Sequence, residues 1–116
     1  MKLKKIKTLI LAQSMDRAVG FYEGVFGMEC MLRSPQWSEM SFDGSIIGIH
    51  GGGDGTRNST DLSFEVDNIV AACRIIREQG GRIVSEPDKR PGEPIVLAVF
   101  QDTEGNELML TQYIGQ

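Results

Sequence analysis

The second half of this 116-residue chain repeats the pattern of the first. When Lys7 is laid on Asp61, an offset of 54 residues, Ser14 falls on Asn68, Ala18 on Ala72 and Gly27 on Gly81 without a gap. Further along, Gly44 aligns with Gly105 at an offset of 61. A candidate helix cap, a small core residue, a helix stop and a turn glycine therefore recur in order. Self-similarity of this kind marks a repeated supersecondary unit. Units this small cannot bury much apolar surface alone, so the two copies are expected to share one domain. The expected layout is module one over 3–50, a linker over 51–60 and module two over 61–113.

Each copy reads as βαβββ. Residues 5–12 are β-branched and aliphatic and suit a strand. Ser14 can cap a helix on which Met15, Ala18, Val19, Tyr22, Val25 and Phe26 share one face, and Gly27 stops it. Residues 29–33 and 37–42 read as strands, Asp43-Gly44 as a two-residue hairpin turn, and 45–50 as the return strand. That turn pairs Phe42 with Ser45, Met40 with Ile47, Glu39 with Gly48 and Trp37 with His50. Met40, Phe42, Ile47 and Ile49 then share an apolar face. Trp37, Glu39, Ser41, Ile46, Gly48 and His50 share a mixed face suited to binding. After a Gly-rich stretch at 51–60, a strand is expected at 61–66 and a helix after Asn68 carrying Ile69, Ala72, Cys73 and Ile76. Strands are expected at 82–85, 95–100 and 107–113, with a Pro-rich loop at 86–94.

Composition excludes several classes. The chain has 12 Lys+Arg against 16 Asp+Glu, a formal charge of −4, so a basic face for nucleic acid is not expected. No apolar run nears the roughly 18 residues of a membrane span. The apolar part of the N-terminal stretch, Thr8 to Ala12, is short for a leader and has no cleavage pattern after it. A cytoplasmic chain with reduced Cys30 and Cys73 is expected. The 51–60 glycines lack the Gly-Lys-Ser/Thr ending of a phosphate loop.

The stretch from Ser14 through Phe21-Tyr22 to Gly27, the segments Phe64–Ala72 and Arg82–Pro87, and the turn Asp102-Thr-Glu-Gly-Asn106 together resemble the vicinal oxygen chelate superfamily. That superfamily includes glyoxalase I, bleomycin-resistance proteins, fosfomycin-resistance proteins and extradiol dioxygenases. The resemblance covers nearly the whole chain. It implies an α+β fold in which two tandem βαβββ modules form an eight-stranded half-barrel around a cavity, commonly as a homodimer. A fold does not name a reaction. The family's enzymes place metal ligands, typically His, Gln or Glu, on the first and last strands of each module. Carried over, those positions hold Lys7, Gly48, Asp61 and Met109. A protonated lysine repels a divalent ion, glycine has no donor and methionine is too soft for such ions. One carboxylate is too few for a catalytic metal. No metal and no other cofactor is expected here.

Other cavity candidates follow from alternation. Lys7 is either a solvated lysine or the partner of Asp61 across the modules. His50, the only histidine, is a polar strand end, a general base, or a ligand in a shifted set with Asp61 and Glu107. Trp37 is a stacking platform or a rim or dimer contact, and Glu39 a receptor for a cationic group, an acid–base group or a solvated residue. Leu9, Met109 and Thr111 complete the lining, with core the leading reading for Met109. The leading expectation is metal-independent capture of a small molecule in the cavity or a dimer crevice, with the acidic balance favouring a cationic ligand. The alternative is a lyase, isomerase or dioxygenase using the shifted metal set or His50 acid–base chemistry. A dimeric interaction module with a vestigial cavity comes third.

Overall fold

The computed structural model describes residues 1–115. The first module runs β1 (Thr8–Ala12), α1 (Met15–Phe26), β2 (Glu29–Arg33), β3 (Trp37–Phe42) and β4 (Ser45–Gly51). The second runs β5 (Asn58–Glu65), α2 (Ile69–Glu78), β6 (Arg82–Lys89), β7 (Ile95–Gln101) and β8 (Asn106–Tyr113). Each module makes one four-stranded sheet, in the orders β1-β4-β3-β2 and β5-β8-β7-β6. The first strand of each lies parallel to the last, and the other neighbours are antiparallel. β1 lies beside β5, so the two sheets form the open half-barrel.

Local chemistry explains the elements. The Ser14 side chain accepts from the Arg17 N–H, and Asn68 does the same for Ala71, so both helices start on a side-chain cap. α1 ends on Gly27 in the left-handed conformation at φ 66°, which a side chain disfavours. Asp43 and Gly44 both have positive φ, as the tight hairpin demands, and the β3–β4 register is the one that turn predicts.

Three strand limits differ from the sequence reading by more than one residue. β1 begins at Thr8, not at residue 5. β5 begins at Asn58, within the glycine-rich stretch, because its backbone pairs with Asn106 and Glu107 on β8. β6 continues to Lys89 through Pro87, since register irregularities at Ser85 and Asp88 let it avoid the missing N–H.

The core is continuous across the modules. Ile10, Val19, Tyr22, Met40 and Ile49 from the first and Ile76, Phe100, Leu108 and Leu110 from the second are fully buried in one cluster. Phe26 meets Phe64 edge-on at 4.8 Å between ring centres, and Phe21 and Phe26 reach Phe100 at 6.4 and 5.8 Å. Phe42 departs from the apolar face expected for it: at the hairpin end, beyond the reach of the core, it is 61% exposed.

Polar groups of the Asp102–Asn106 turn lock the same seam. Asn106, fully buried, accepts from the Leu11 N–H at 3.0 Å and donates to the Leu11 carbonyl at 2.7 Å. It thereby completes β1 as a neighbouring strand would. Glu104, 2% exposed, accepts from the Gln13 and Ser14 N–H groups and from Arg17 Nε at 2.7 Å. Tyr22 donates its hydroxyl to Asp102 at 2.6 Å. Burial raises the Asp102 pKa, against the hydrogen bonds it accepts from Tyr22, Asn106 and the turn backbone. Burial, beside the Asp102 charge, holds the Tyr22 pKa well above the usual phenol range, so it remains a donor.

Candidate functional site

Ile10 and Ala12 point into the core, so alternation turns Leu9 and Leu11 to the opposite, concave face. On the neighbouring strands Leu9 pairs with Gly48, Leu11 with His50, Glu39 with Gly48 and Trp37 with His50. Lys7, Leu9, Trp37, Glu39, Gly48 and His50 are thus gathered on one wall. On the other module Glu107, Met109 and Thr111 alternate along β8, opposite the buried Asn106, Leu108 and Leu110. Asp61 lies in an irregular part of β5, where the β5–β8 register shifts between Ser59 and Ser63. A cleft of about 320 Å³ separates β1 from β5, lined by Thr8, Leu9 and residues 58–62.

The first wall centres on Glu39. Its carboxylate accepts from Lys5 Nζ at 2.7 Å and from Trp37 Nε1 at 2.8 Å, and Lys7 Nζ stands 3.6 Å away. The side chain is 7% exposed. The Lys5 and Trp37 hydrogen bonds hold its pKa down at about 2, against the cost of burial. A carboxylate this acidic is a poor base near neutral pH, which argues against the acid–base role considered for Glu39. Lys5 was not among the sequence candidates. Its signal was present, two residues before Lys7 in an extended segment.

The Trp37 indole lies over Gly48. A Cβ built on Gly48 would overlap Trp37 Cη2 and come within 2.6 Å of Cζ2. Lys7 Nζ sits 5.0 Å from the indole centre, in cation–π range. Lys7 therefore partners Glu39 and Trp37, and the Lys7–Asp61 pair, one of its two alternatives, is not among the ion pairs of the described residues. His50 is exposed, with its ring 6.4 Å from the indole in an edge contact. Its Nδ1 lies 2.6 Å from the Gly51 carbonyl, which can only accept. The proton is therefore on Nδ1, and Nε2 is left free.

On the second wall Glu107 accepts from Arg57 Nε at 3.0 Å and Nη2 at 2.8 Å, and this keeps its pKa low. Arg57 lies in the glycine-rich stretch and had no sequence signal. Met109 is 39% exposed on this face and lies outside the core. His50, Asp61 and Glu107 are not brought together: no three His, Cys, Asp or Glu side chains among the described residues could hold one metal ion.

A larger hollow of about 580 Å³ opens on the other side of the seam. Phe26, Phe42, Ile47, Leu62 and Phe64 line it, and of the residues read onto the binding face Ile46 alone reaches it.

The model of the Glyoxalase/Bleomycin resistance protein/Dioxygenase superfamily matches residues 6–110. The chain belongs to that superfamily. Among curated superfamily relatives, the lactoylglutathione lyase of Neisseria meningitidis serogroup A is 23% identical over 129 residues, covering 95% of this chain and 91% of that protein. The lactoylglutathione lyase of Haemophilus influenzae is 24% identical, covering 89% and 87%. Among solved structures, a glyoxalase/bleomycin resistance protein/dioxygenase family enzyme from Burkholderia phytofirmans superposes with a TM-score of 0.78 at 19% identity, covering 92% and 96%. The fosfomycin resistance protein FosX of Listeria monocytogenes gives 0.78 at 14%, covering 100% and 96%. Likeness at this level establishes the fold.

Superfamily enzymes commonly use a divalent metal, and the four carried-over positions do not fit one. Lys7 brings an ammonium, Met109 a thioether, and Asp61 the one hard donor. At the fourth position, Gly48, the space of a ligating side chain is already filled by the indole.

Proposed function

We propose that the chain is a metal-independent small-molecule binding member of the superfamily, capturing its ligand on the concave face or in a dimer crevice. The indole over Gly48 carries this reading. Trp37, Lys5, Lys7 and Glu39 put a satisfied polar–aromatic cluster where a metal-dependent member needs donors. Leu9, Leu11 and Met109 give the surrounding walls exposed apolar surface, which favours ligand contact. A homodimer and a cytoplasmic location belong to the same reading.

Metal content of the purified protein, with Zn²⁺, Ni²⁺, Mn²⁺ or Fe²⁺ offered, tests it together with the thermal midpoint. The expected result is no stoichiometric metal and no shift. A tightly held metal that raises the midpoint overturns the reading.

The second reading is a lyase or isomerase, and His50 is what favours it. Its Nδ1 is oriented by the Gly51 carbonyl, leaving Nε2 as a base on the concave face. The curated relatives are lactoylglutathione lyases by name. Proton exchange next to the carbonyl of a bound ligand, lost in H50A with binding retained, distinguishes this reading from capture alone.

A further inference from the structure

The acidic balance of the whole chain suggests a cationic ligand, but the local charges on the concave wall are reversed. Two ammonium groups, Lys5 and Lys7, face one carboxylate, Glu39. Both carboxylate oxygens are engaged, Oε1 by Lys5 and Oε2 by Trp37, so Glu39 has little left for a ligand cation. Lys7 Nζ, at 3.6 Å, is near enough to feel that charge and too far for a hydrogen bond to it. Its side chain is 36% exposed and lies 5.0 Å from the indole centre, so an acid group that takes its donors draws it aside from the indole face.

The neighbouring surface is flat, apolar and held in place. The indole is fixed at one end by its bond to Glu39 and by the Gly48 backbone beneath it. Leu9 and Leu11, 59% and 41% exposed, flank it on β1. The other charged groups of the cavity do not cancel the Lys7 charge at this spot. Glu107 is neutralised by Arg57, and Asp61 stands across the cleft on β5.

Resting on the reading of ligand capture above, we infer that the ligand is a planar aromatic anion, with its ring against Trp37 and its carboxylate or equivalent oxyanion on Lys7 Nζ. A fixed indole supplies stacking at little ordering cost, and a charge-assisted hydrogen bond to the ammonium sets the orientation.

Three probes that share one ring system and differ in charge test this: 2-naphthoate, 2-naphthamide and 2-naphthylmethylammonium, each with a chelator present. Affinity is read by calorimetry. The site is read from the indole N–H resonance, which is unambiguous because the chain has one Trp. The naphthoate is expected to bind about tenfold tighter than the amide, and the ammonium weaker than either. K7M is expected to bring the naphthoate down to the level of the amide measured on the same variant. K7R is expected to keep most of the preference, and D61N to tighten the naphthoate.

An ammonium probe that binds as well as the naphthoate overturns the ligand class and leaves capture standing. A K7M protein that keeps the naphthoate preference does the same. Failure of all three probes to move the indole resonance, or binding only after divalent metal is restored, overturns both the class and the reading beneath it.

Discussion

Gly48 lacks a side chain at a place where Trp37 needs the room. An aromatic lying across a glycine on the neighbouring strand offsets the weakness that glycine brings to a sheet. G48A is therefore expected to push the indole off its seat and break its bond to Glu39. The cost should be about 1–3 kcal/mol, as for other overpacked sites, read by chemical denaturation and by a changed Trp emission. In a W37A background the same substitution should cost much less, and an equal cost in both backgrounds would count against the stacking. Glu39 gives a second residue-scale prediction. Its folded pKa is about 2, below the unfolded carboxylate value. The stability it contributes is present above the unfolded value and is lost as pH falls towards 2. E39Q should therefore be less stable than the parent at pH 7, and the gap should narrow between about pH 5 and pH 3. A gap independent of pH would assign the loss to packing. Much of this cluster could be read from the sequence, because the Asp43-Gly44 turn fixes register and register places Trp37, Glu39, Gly48 and His50 on one face. The partner of Lys7 could not. Alternation puts a long side chain on a face, but only the packed structure shows that Glu39 lies within its reach and which carboxylate it meets.

At the scale of elements, strand β1 has its other edge against β4, and the edge facing β5 is completed by one side chain. Asn106 offers Leu11 an acceptor and a donor, as a peptide group would, and it also binds Asn58 and Asp102. N106A leaves the Leu11 N–H and carbonyl without these partners in a buried seam. A loss of about 2–4 kcal/mol is expected, with the Leu11 amide becoming faster in hydrogen exchange while the β3–β4 hairpin amides stay protected. Uniform acceleration across both sheets would show that Asn106 acts on global stability only. The sequence marks Asp102–Asn106 clearly as a turn, and the resemblance rests partly on it, yet nothing in the motif tells that its side chains serve the other module. Helix limits were accessible because caps are local: Ser14, Asn68 and Gly27 act within a few residues. Strand limits at Asn58 and Lys89 were not, because β5 is extended by pairing with β8, some 48 residues away. The offset of 54 also overstates the likeness of the helix ends. α2 stops at Glu78 and the positive φ falls on Gly80, whereas Gly81 is needed for room against Ile76 and Phe21.

For the whole molecule the question is whether two similar modules behave as one. Phe21, Tyr22 and Phe26 from α1 are packed among Phe64 and Phe100 of the second module, so neither module can open without exposing aromatic surface of both. Burial of rings at this density couples the halves more strongly than the polar locks do, since each large aromatic carries a few kcal/mol of burial. The chain is therefore expected to unfold in one transition, with Trp37 emission from module one coinciding with amide exchange in β7 and β8. E104Q provides the test of that coupling. Its amide oxygen can still accept from the Gln13 and Ser14 N–H groups, but its NH2 group faces the Arg17 guanidinium, donor against donor. If the aromatic core unites the modules, E104Q lowers the shared midpoint and both probes still move together. If the polar seam alone held them, the same substitution would split the transition, with Trp37 reporting one midpoint and the β7–β8 amides another. Acid separates the locks further. Burial raises the Asp102 pKa, so protonation relieves a cost in the folded state and favours folding as pH falls through its titration. The Glu104 pKa is lowered by Arg17 and the backbone of Ser14, against burial, and its contribution is lost in the same direction of pH. The two neighbours thus oppose each other in acid. D102N, neutral at every pH, should lack this acid-side gain, so its stability relative to the parent is expected to fall as pH drops from about 6 to about 3, as followed by chemical denaturation at each pH.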